Sequence, residues 1–222
     1  MKWIYRLERK LGRNFGVPNL MIYITGTMLA VYMLTLIIMR GLPWLMFLDR
    51  TLVMQGQVWR LVTFLFVPPA FGAMGVLGLL ILLYAAYIFG SALERAWGCA
   101  LFTLYFIFGA VGAMIAGLIS GAGTNHYLYL SLFLAYAYLY PNSSILLFFV
   151  LPVKAKYLAY VNWAVYIYAF IIGNFSSRLA IVFSLINFFL FFGPELSETL
   201  KRAYKQSKQR QQYRKNWGDH WR

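Results

Sequence analysis

The sequence predicts an all-α integral membrane protein with six transmembrane helices and a first loop that lies at the membrane interface. Hydrophobic residues make up 62% of the 222 residues and charged residues only 12%, which leaves too little polar surface to close a soluble domain. Aromatic residues, at 19%, suit the belts that membrane proteins place at both interfaces. Charge-free apolar runs separated by helix breakers supply the six spans.

Each predicted span ends at a charge, a proline, a glycine or a polar cluster. The first is long enough to cross the bilayer and longer than the core of a cleaved signal peptide, so we interpret it as an anchor. The fourth and sixth, at about 14 and 15 residues, are shorter than the roughly 20 residues that a typical bilayer requires. The predicted spans are Leu20 to Met39, Met74 to Leu93, Ala100 to Ser120, Tyr127 to Tyr140, Tyr157 to Gly173 and Leu179 to Gly193.

Two connections between the later spans carry their own signals. Pro141 to Ser144 break the chain after the fourth span, and the apolar run LLFFVLPVKAKYL that follows ends at two lysines. This pattern favours a re-entrant or interfacial loop over a further span. The polar stretch from Asn174 to Arg178 predicts a turn between the fifth and sixth spans.

The basic residues predict the orientation of the chain. Five Lys or Arg residues precede the first span and eight follow the last. If both termini are cytoplasmic, all twenty Lys and Arg lie inside except Arg40, Arg50, Arg60 and Arg178. Cytoplasmic segments of membrane proteins carry an excess of these residues. The distribution therefore predicts two cytoplasmic termini and an external or periplasmic first loop at 41–72.

The net charge of +14 is concentrated at the two ends of the chain. It predicts a basic cytoplasmic N-terminus at 1–19, a membrane domain at 20–193 and a basic cytoplasmic tail at 194–222, and both basic ends are attracted to anionic lipids. A nucleic-acid partner is not predicted, because no groove pattern of stacking aromatics accompanies the charge. Cys99 is the only cysteine, so no intrachain disulfide can form.

A Trp-Arg pair stands in the loop that joins the first two spans. Trp59 and Arg60 follow Gly56 and Gln57 in the segment GQVWRLVTFLFVPP. A tryptophan ring and a permanent cation both suit the depth where hydrocarbon meets the lipid head groups. The two prolines forbid a regular helix at the end of this segment. We therefore expect the loop to lie in the outer interface, with Arg60 held by the bundle or by lipid phosphates.

Small residues recur at every fourth position of the third span, at Gly109, Ala113, Gly117 and Gly121. Residues at this spacing share one helix face and let a neighbouring backbone approach closely. We interpret the stripe as a packing seam within the chain, and a contact between copies in a homo-oligomer stays open.

Few polar residues interrupt the later apolar runs. Asn162 and Asn187 are expected to hydrogen-bond across helices or to line a wet cavity, because a buried amide in lipid must find a partner. No Asp, Glu, Lys or Arg lies in the middle of a span. This argues against an ion-coupled transporter and against a carboxylate metal site. No cofactor or metal is predicted.

The order and spacing of several anchors resemble the rhomboid superfamily of membrane proteins, over about Leu48 to Gly193. The resemblance implies a rhomboid-like bundle. We interpret Glu94 as a structural cap or loop anchor, because it lies at the inner end of the second span beside Arg95 and far from the external cleft of the active enzymes. The anchors are the Trp59-Arg60 loop, then Gly90, Leu93, Glu94 and Gly98 around Trp97, Tyr105 in the third span, and LPVKAKYL after the fourth.

In active members of that superfamily, a serine in a G-x-S-G turn opens the fourth span and a histidine on the sixth activates it. Counting back from Pro141 puts the turn at 124–127, which contains no serine, and the sixth span contains no histidine. The positions of the oxyanion-binding His and Asn on the second span are occupied by Gly78 and Leu82. The resemblance therefore implies a pseudoprotease that lacks both the dyad and the oxyanion hole.

His126 is the only candidate base near the membrane domain, and its nearest serines are Ser120 and Ser131. Neither serine stands in a recognisable nucleophile turn. We interpret His126 as a polar loop residue at the membrane surface, and a ligand-binding or pH-sensing role stays open. Together with Asn162 and Asn187, it marks a possible cleft.

Inactive relatives of this kind, such as the derlins, imply a binding role. We expect the protein to bind transmembrane segments of client proteins in membrane protein quality control, extraction or trafficking, aided by local thinning of the bilayer. One alternative is an intramembrane serine protease that uses His126 and a nearby serine, and another is a lipid-binding or scramblase-like protein. The short loops and basic tail suggest a bacterial inner membrane, and an organelle stays open.

Overall fold

The computed structural model describes residues 16–38, 41–68, 76–147 and 151–193, and the basic residues of both predicted termini lie outside these ranges. Within them the chain is mainly helical, as predicted. The helices are α1 (Leu20–Ile37), α2 (Leu42–Met46), α3 (Arg50–Met54), α4 (Arg60–Thr63), α5 (Val76–Trp97), α6 (Cys99–Ser120), α7 (His126–Leu139), α8 (Ala155–Ile172) and α9 (Phe175–Gly193).

Five of the described helices, α1, α5, α6, α8 and α9, are long and apolar enough to cross a membrane. The protein is a multi-pass integral membrane protein. Helix α7 has 14 residues and rises about 21 Å, which is shorter than the roughly 30 Å hydrocarbon core. The six predicted spans therefore correspond to five candidate spans and one short helix, and a sixth full span stays a prediction.

The predicted turn between the last two spans is wrong over most of its length. Helix α9 already begins at Phe175, directly after Asn174, and has 19 residues instead of the predicted 15 or so. The first turn of a helix has backbone N–H groups without helical partners, so polar residues fit there. Arg178 instead donates to the carbonyl of Ile171 at the end of α8, at 2.9 Å. Of the two predicted short spans, only the fourth, which corresponds to α7, is short in the structure.

The segment after α7 forms a β-hairpin where a re-entrant or interfacial loop was predicted. Strand β3 (Ser144–Leu147) pairs antiparallel with strand β4 (Leu151–Lys154). The β-branched side chains of Ile145 and Val153, which pair in the ladder, favour strands. A hairpin also pairs much of its own backbone, which suits a segment that lies against a membrane. Helix α8 begins immediately after the hairpin.

The first loop is folded into short helices and pairs with the segment that follows the C-terminal end of α6. Strand β1 (Leu48–Asp49) pairs antiparallel with strand β2 (Ala122–Gly123), which follows α6. Helix α4 continues as a 3₁₀ helix over Phe64–Phe66, and Val67 is already extended. Regular helix therefore ends before the prolines, as their missing N–H groups require.

The core is centred on α6, which is the most buried of the candidate spans, whereas α8 is the most exposed. Aromatic rings connect the helices at one end of this core. Trp97 of α5 lies 5.5 Å from Tyr105 of α6 and 5.1 Å from Phe192 of α9, and Tyr138 of α7 lies 4.9 Å from Phe192, measured between ring centroids. Such edge-on and tilted ring contacts stabilise the core in addition to the burial of the ring surface.

The small-residue stripe of α6 packs within the chain, but it does not face one helix. A side chain at Gly109 would collide with Leu128 of α7, whereas one at Gly117 would collide with Leu48 of the first loop. Gly121 has a φ of +98° and ends α6, with open space around it. The stripe serves α7 at one end and the first loop at the other.

Candidate functional site

The turn before α7, where an active rhomboid would carry its nucleophile, is occupied by a buried asparagine. Asn125 is only 5% exposed, and its Nδ2 donates to the carbonyls of Phe64 at 3.0 Å, Leu65 at 3.1 Å and Val67 at 2.7 Å. The hydroxyl of Tyr129, one turn further, donates to the carbonyl of Leu65 at 3.0 Å. We call these bonds the Asn125 clamp. They fasten the end of the first loop to the start of α7.

The two serines nearest to His126 have other partners. Ser131 is buried, donates to the carbonyl of Leu128 at 2.8 Å and accepts a bond from the hydroxyl of Tyr105 at 3.2 Å. Ser120 donates to a carbonyl of its own helix at 2.7 Å. Among the described residues, neither serine hydrogen-bonds to the ring of His126. The three residues therefore do not form the pair that activates a serine nucleophile.

Further buried polar side chains connect α9 to α6, α7 and α8. Ser184 donates to the carbonyl of Tyr127 at 2.7 Å, and its Oγ lies 2.9 Å from the hydroxyl of Tyr166. Asn187 donates to the carbonyl of Tyr105 at 3.3 Å. These side chains are buried and bind backbone carbonyls of neighbouring helices. Bonds of this kind hold helices together where hydrocarbon offers no competing water.

Arg60 is buried inside the first loop and does not reach out toward lipid phosphates. It is 3% exposed, its Nε donates to Oε1 of Gln57 at 2.7 Å, and its Nη1 donates to the carbonyls of Trp44 and Phe47, each at 2.8 Å. The neighbouring Trp59 is 55% exposed. The predicted pair is therefore divided: the arginine holds the loop together, and the tryptophan faces outward.

Asp49 caps the start of α3 in the same loop. Its Oδ1 accepts hydrogen bonds from the hydroxyl and the backbone N–H of Thr51, and a longer one from the N–H of Leu52. The bonds from Thr51, followed by the bond from Leu52, hold the pKa of Asp49 below its usual range. Gly56, with a φ of +99°, supplies the left-handed turn that leads from α3 toward Arg60.

The residues at the C-terminal end of α5 have structural roles. Oε1 of Glu94 accepts a hydrogen bond from the backbone N–H of Asn19, just before α1, at 2.7 Å. A side chain at Gly90 would collide with Met21 of α1, so this glycine permits close packing of α1 on α5. Gly98, with a φ of +84°, turns the chain into α6. With the ring contacts of Trp97, these residues position helices and present no reactive group.

A cavity of about 510 Å³ opens on the side of the bundle between α5 and α8. Helix α7 forms its floor, because both walls pack against α7, and strand β3 closes one end. The exposed side chains of Tyr84 and Val161 stand at its rim. We call this cavity the lateral groove. It is lined by side chains from 81–89, 130–136, 144–145 and 158–165.

The lining of the lateral groove is mostly apolar. Its polar members include Asn162, which is 5% exposed and donates through Nδ2 to the carbonyl of Leu130 at 3.1 Å. Among the residues that the structure describes, none donates a hydrogen bond to Oδ1 of Asn162. The groove thus combines apolar walls with the buried amide of Asn162, whose Oδ1 has no donor among the described residues.

The predicted cleft of His126, Asn162 and Asn187 is not one site. Only Asn162 lines the lateral groove, whereas Asn187 lies in the core beside Gly109, and His126 begins α7. Both asparagines do bond across helices, as expected for buried amides. In the described part of the chain, no three His, Cys, Asp or Glu residues come together as a candidate metal site.

The sequence interpretation missed Asn125 and the lateral groove. The only local signal for Asn125 was an asparagine immediately before an apolar run, a position where its amide typically caps a helix. Here the amide binds a distant loop instead. The groove has no signal in any single segment, because three helices and a hairpin form it together.

Comparison with known proteins identifies the family. Residues 17–209 match the family model of the Der1-like family, a rhomboid-like pseudoprotease group. No curated protein matches the chain. The matched region contains the first loop, the turn before α7 and the lateral groove. Because the match covers most of its length, the chain belongs to the Der1-like family.

Proposed function

We propose that the protein binds transmembrane segments of client proteins in the lateral groove, without cutting them, in membrane protein quality control, extraction or trafficking. The observation that carries this proposal is the groove itself. Its walls are two candidate spans, and its lining is mostly apolar. An occupant that enters sideways between two membrane-spanning helices arrives from the hydrocarbon core of the bilayer. A helix is the form in which a polypeptide resides there, because it satisfies its own backbone.

Local thinning of the bilayer would help a client segment to leave or cross the membrane. Two features support this part of the proposal. Helix α7, the floor of the groove, is about 9 Å shorter than a typical hydrocarbon core. Large apolar side chains on the first loop face outward and suit insertion between head groups. Those that are more than half exposed are Trp44, Met54, Val58, Trp59 and Val62.

The proposed setting has both termini in the cytoplasm, with a bacterial inner membrane as the host compartment. The support is the excess of Lys and Arg on one side of the predicted spans. The basic tail would then meet anionic lipids of the inner leaflet. Association of several copies into a homo-oligomer is compatible with the wide exposed faces of α1 and α8.

Filling the groove is expected to weaken client binding. Ala85→Trp inserts an indole from α5, whereas Ala164→Trp adds the same ring to an exposed position of α8 outside the groove. We expect a fluorescent polyleucine transmembrane peptide with one central glutamine to bind Ala85→Trp about tenfold more weakly in nanodiscs. A tenfold change is about 1.4 kcal/mol, which the loss of close packing with the client helix would supply, because packing drives helix association in membranes. Equal binding to wild type and both variants would show that the groove is not the site.

A fluorophosphonate probe is expected to leave the protein unlabelled. Such probes require an activated serine, and the hydroxyls of Ser120 and Ser131 donate to backbone carbonyls. The measurement is probe fluorescence on the detergent-solubilised protein after electrophoresis, with an active serine hydrolase as the positive control. Labelling that disappears in Ser120→Ala, Ser131→Ala or His126→Ala would replace the binding role by an enzymatic one.

A further inference from the structure

We infer that Asn162 selects the segments that the lateral groove binds, in favour of those that carry a hydrogen-bond donor near the middle of the span. This inference rests on the proposed function and specifies its ligand. The chemical class is a transmembrane helix with Ser, Thr, Asn or Gln at mid-depth, since these side chains supply a neutral donor.

The orientation of the Asn162 amide is fixed by its partner. The carbonyl of Leu130 can only accept a hydrogen bond, so the donor end of the amide, Nδ2, must face it. Oδ1 is therefore the end of the amide that this bond leaves without a donor. It is buried, and no described residue donates to it. A buried acceptor without a donor is unfavourable, and a partner that supplies a donor relieves the cost.

The surroundings of Asn162 determine which ligand can supply that donor. Asn162 is the eighth residue of the 18-residue helix α8, close to the middle of a candidate span. Hydrocarbon at this depth offers no water, and a lipid acyl chain carries no donor. A polar residue on a client helix is equally short of partners there. Once the entering helix has displaced the flexible side chains of the lining, the donor on the client helix can hydrogen-bond to Oδ1 of Asn162.

Asn187 provides a matched control for this inference. Its Oδ1 is also buried without a donor from any described residue, and its Nδ2 also binds a helix carbonyl. It lies against Gly109 and Leu128 inside the bundle, outside the lining of the groove. A general effect of replacing a buried amide would therefore appear in variants of both asparagines. A loss of selection would appear only in the variant of Asn162.

The test compares two polyleucine peptides in nanodiscs, one with a central glutamine and one without. We expect wild-type protein and Asn187→Leu to bind the glutamine peptide about three- to twentyfold more tightly, the range for one interhelical hydrogen bond in a membrane. Asn162→Leu should bind the two peptides equally. Moving the glutamine next to the end of the peptide should remove the preference in the wild type, which tests the inference without a variant.

The outcomes separate this inference from the proposed function. Equal binding of both peptides to wild type, with binding still weakened by Ala85→Trp, would overturn the selection by Asn162 and leave client binding intact. A preference that survives Asn162→Leu would likewise overturn it. Failure of both peptides to bind at a site sensitive to Ala85→Trp would overturn the proposed function itself.

Discussion

Asn125→Ala is expected to lower the free energy of unfolding by about 3 kcal/mol, because it leaves buried carbonyls without a donor. The amide has two N–H hydrogens, which three carbonyls of the first loop share in the structure. Alanine supplies none. The measurement is reversible unfolding in mixed micelles with an increasing fraction of SDS, and circular dichroism is the readout.

Two further variants calibrate this result. Tyr129→Phe removes one hydrogen bond to the same loop, at Leu65, and should cost about 1 kcal/mol. Asn142→Ala removes an exposed asparagine from the turn after α7 and should change stability by less than about 0.5 kcal/mol. If Asn125→Ala behaved like Asn142→Ala, the clamp would contribute nothing to the stability of the fold.

Arg60→Ala is expected to unfold the first loop locally and to cost about 3 kcal/mol, since hydrogen bonds to charged groups are the stronger ones. Without the guanidinium, the carbonyls of Trp44 and Phe47 lose their shared donor. Lysine cannot replace it, because a single ammonium lacks the fork that reaches Gln57 from Nε and the carbonyls from Nη1. The readouts are unfolding in SDS and limited proteolysis of the loop.

Arg50 and Trp59 separate the internal role of the loop from its contact with lipid. Arg50→Ala removes an exposed arginine of the same loop and should leave stability unchanged. Trp59→Ala should preserve the fold but move the loop outward, which a spin label at the exposed Val58 would report as greater access to water-soluble relaxers. A loop already in bulk water in the wild type would contradict thinning. Unchanged stability of Arg60→Ala would contradict its internal role.

Helix positions could be predicted from the sequence because a hydrocarbon core imposes length and composition on every span. The predicted and observed boundaries of the third and fourth spans agree within one residue. The start of α9 was predicted too late, because its polar residues were interpreted as a turn. Polar residues fit the first turn of a helix equally well, since the backbone N–H groups there have no helical partners. The local pattern does not distinguish these two cases.

The roles of Arg60 and Asn125 could not be read from their neighbours in sequence. Arg60 binds carbonyls 13 and 16 residues away, and the carbonyls bound by Asn125 lie 58 to 61 residues away. Backbone carbonyls carry no sequence signal, since every residue has one. The Trp-Arg motif predicts a loop in the membrane interface, which stays a prediction. The sequence left the partner of its arginine open between the bundle and lipid phosphates, because the backbone acceptors that bury it become visible only in three dimensions.

The pairing of the first loop with residues after α6 has a consequence for biosynthesis. The loop is made early, but Leu48 cannot pair with Gly123, nor can Asn125 reach Phe64, until two further spans have been translated and inserted. Contacts this distant in sequence form late, because a long stretch of chain must be closed first. Until those two spans are inserted, the newly made loop therefore lacks these contacts and its apolar side chains are exposed at the membrane. A chain that stalls within α6 would present this unfinished loop to the chaperones and proteases of its own membrane.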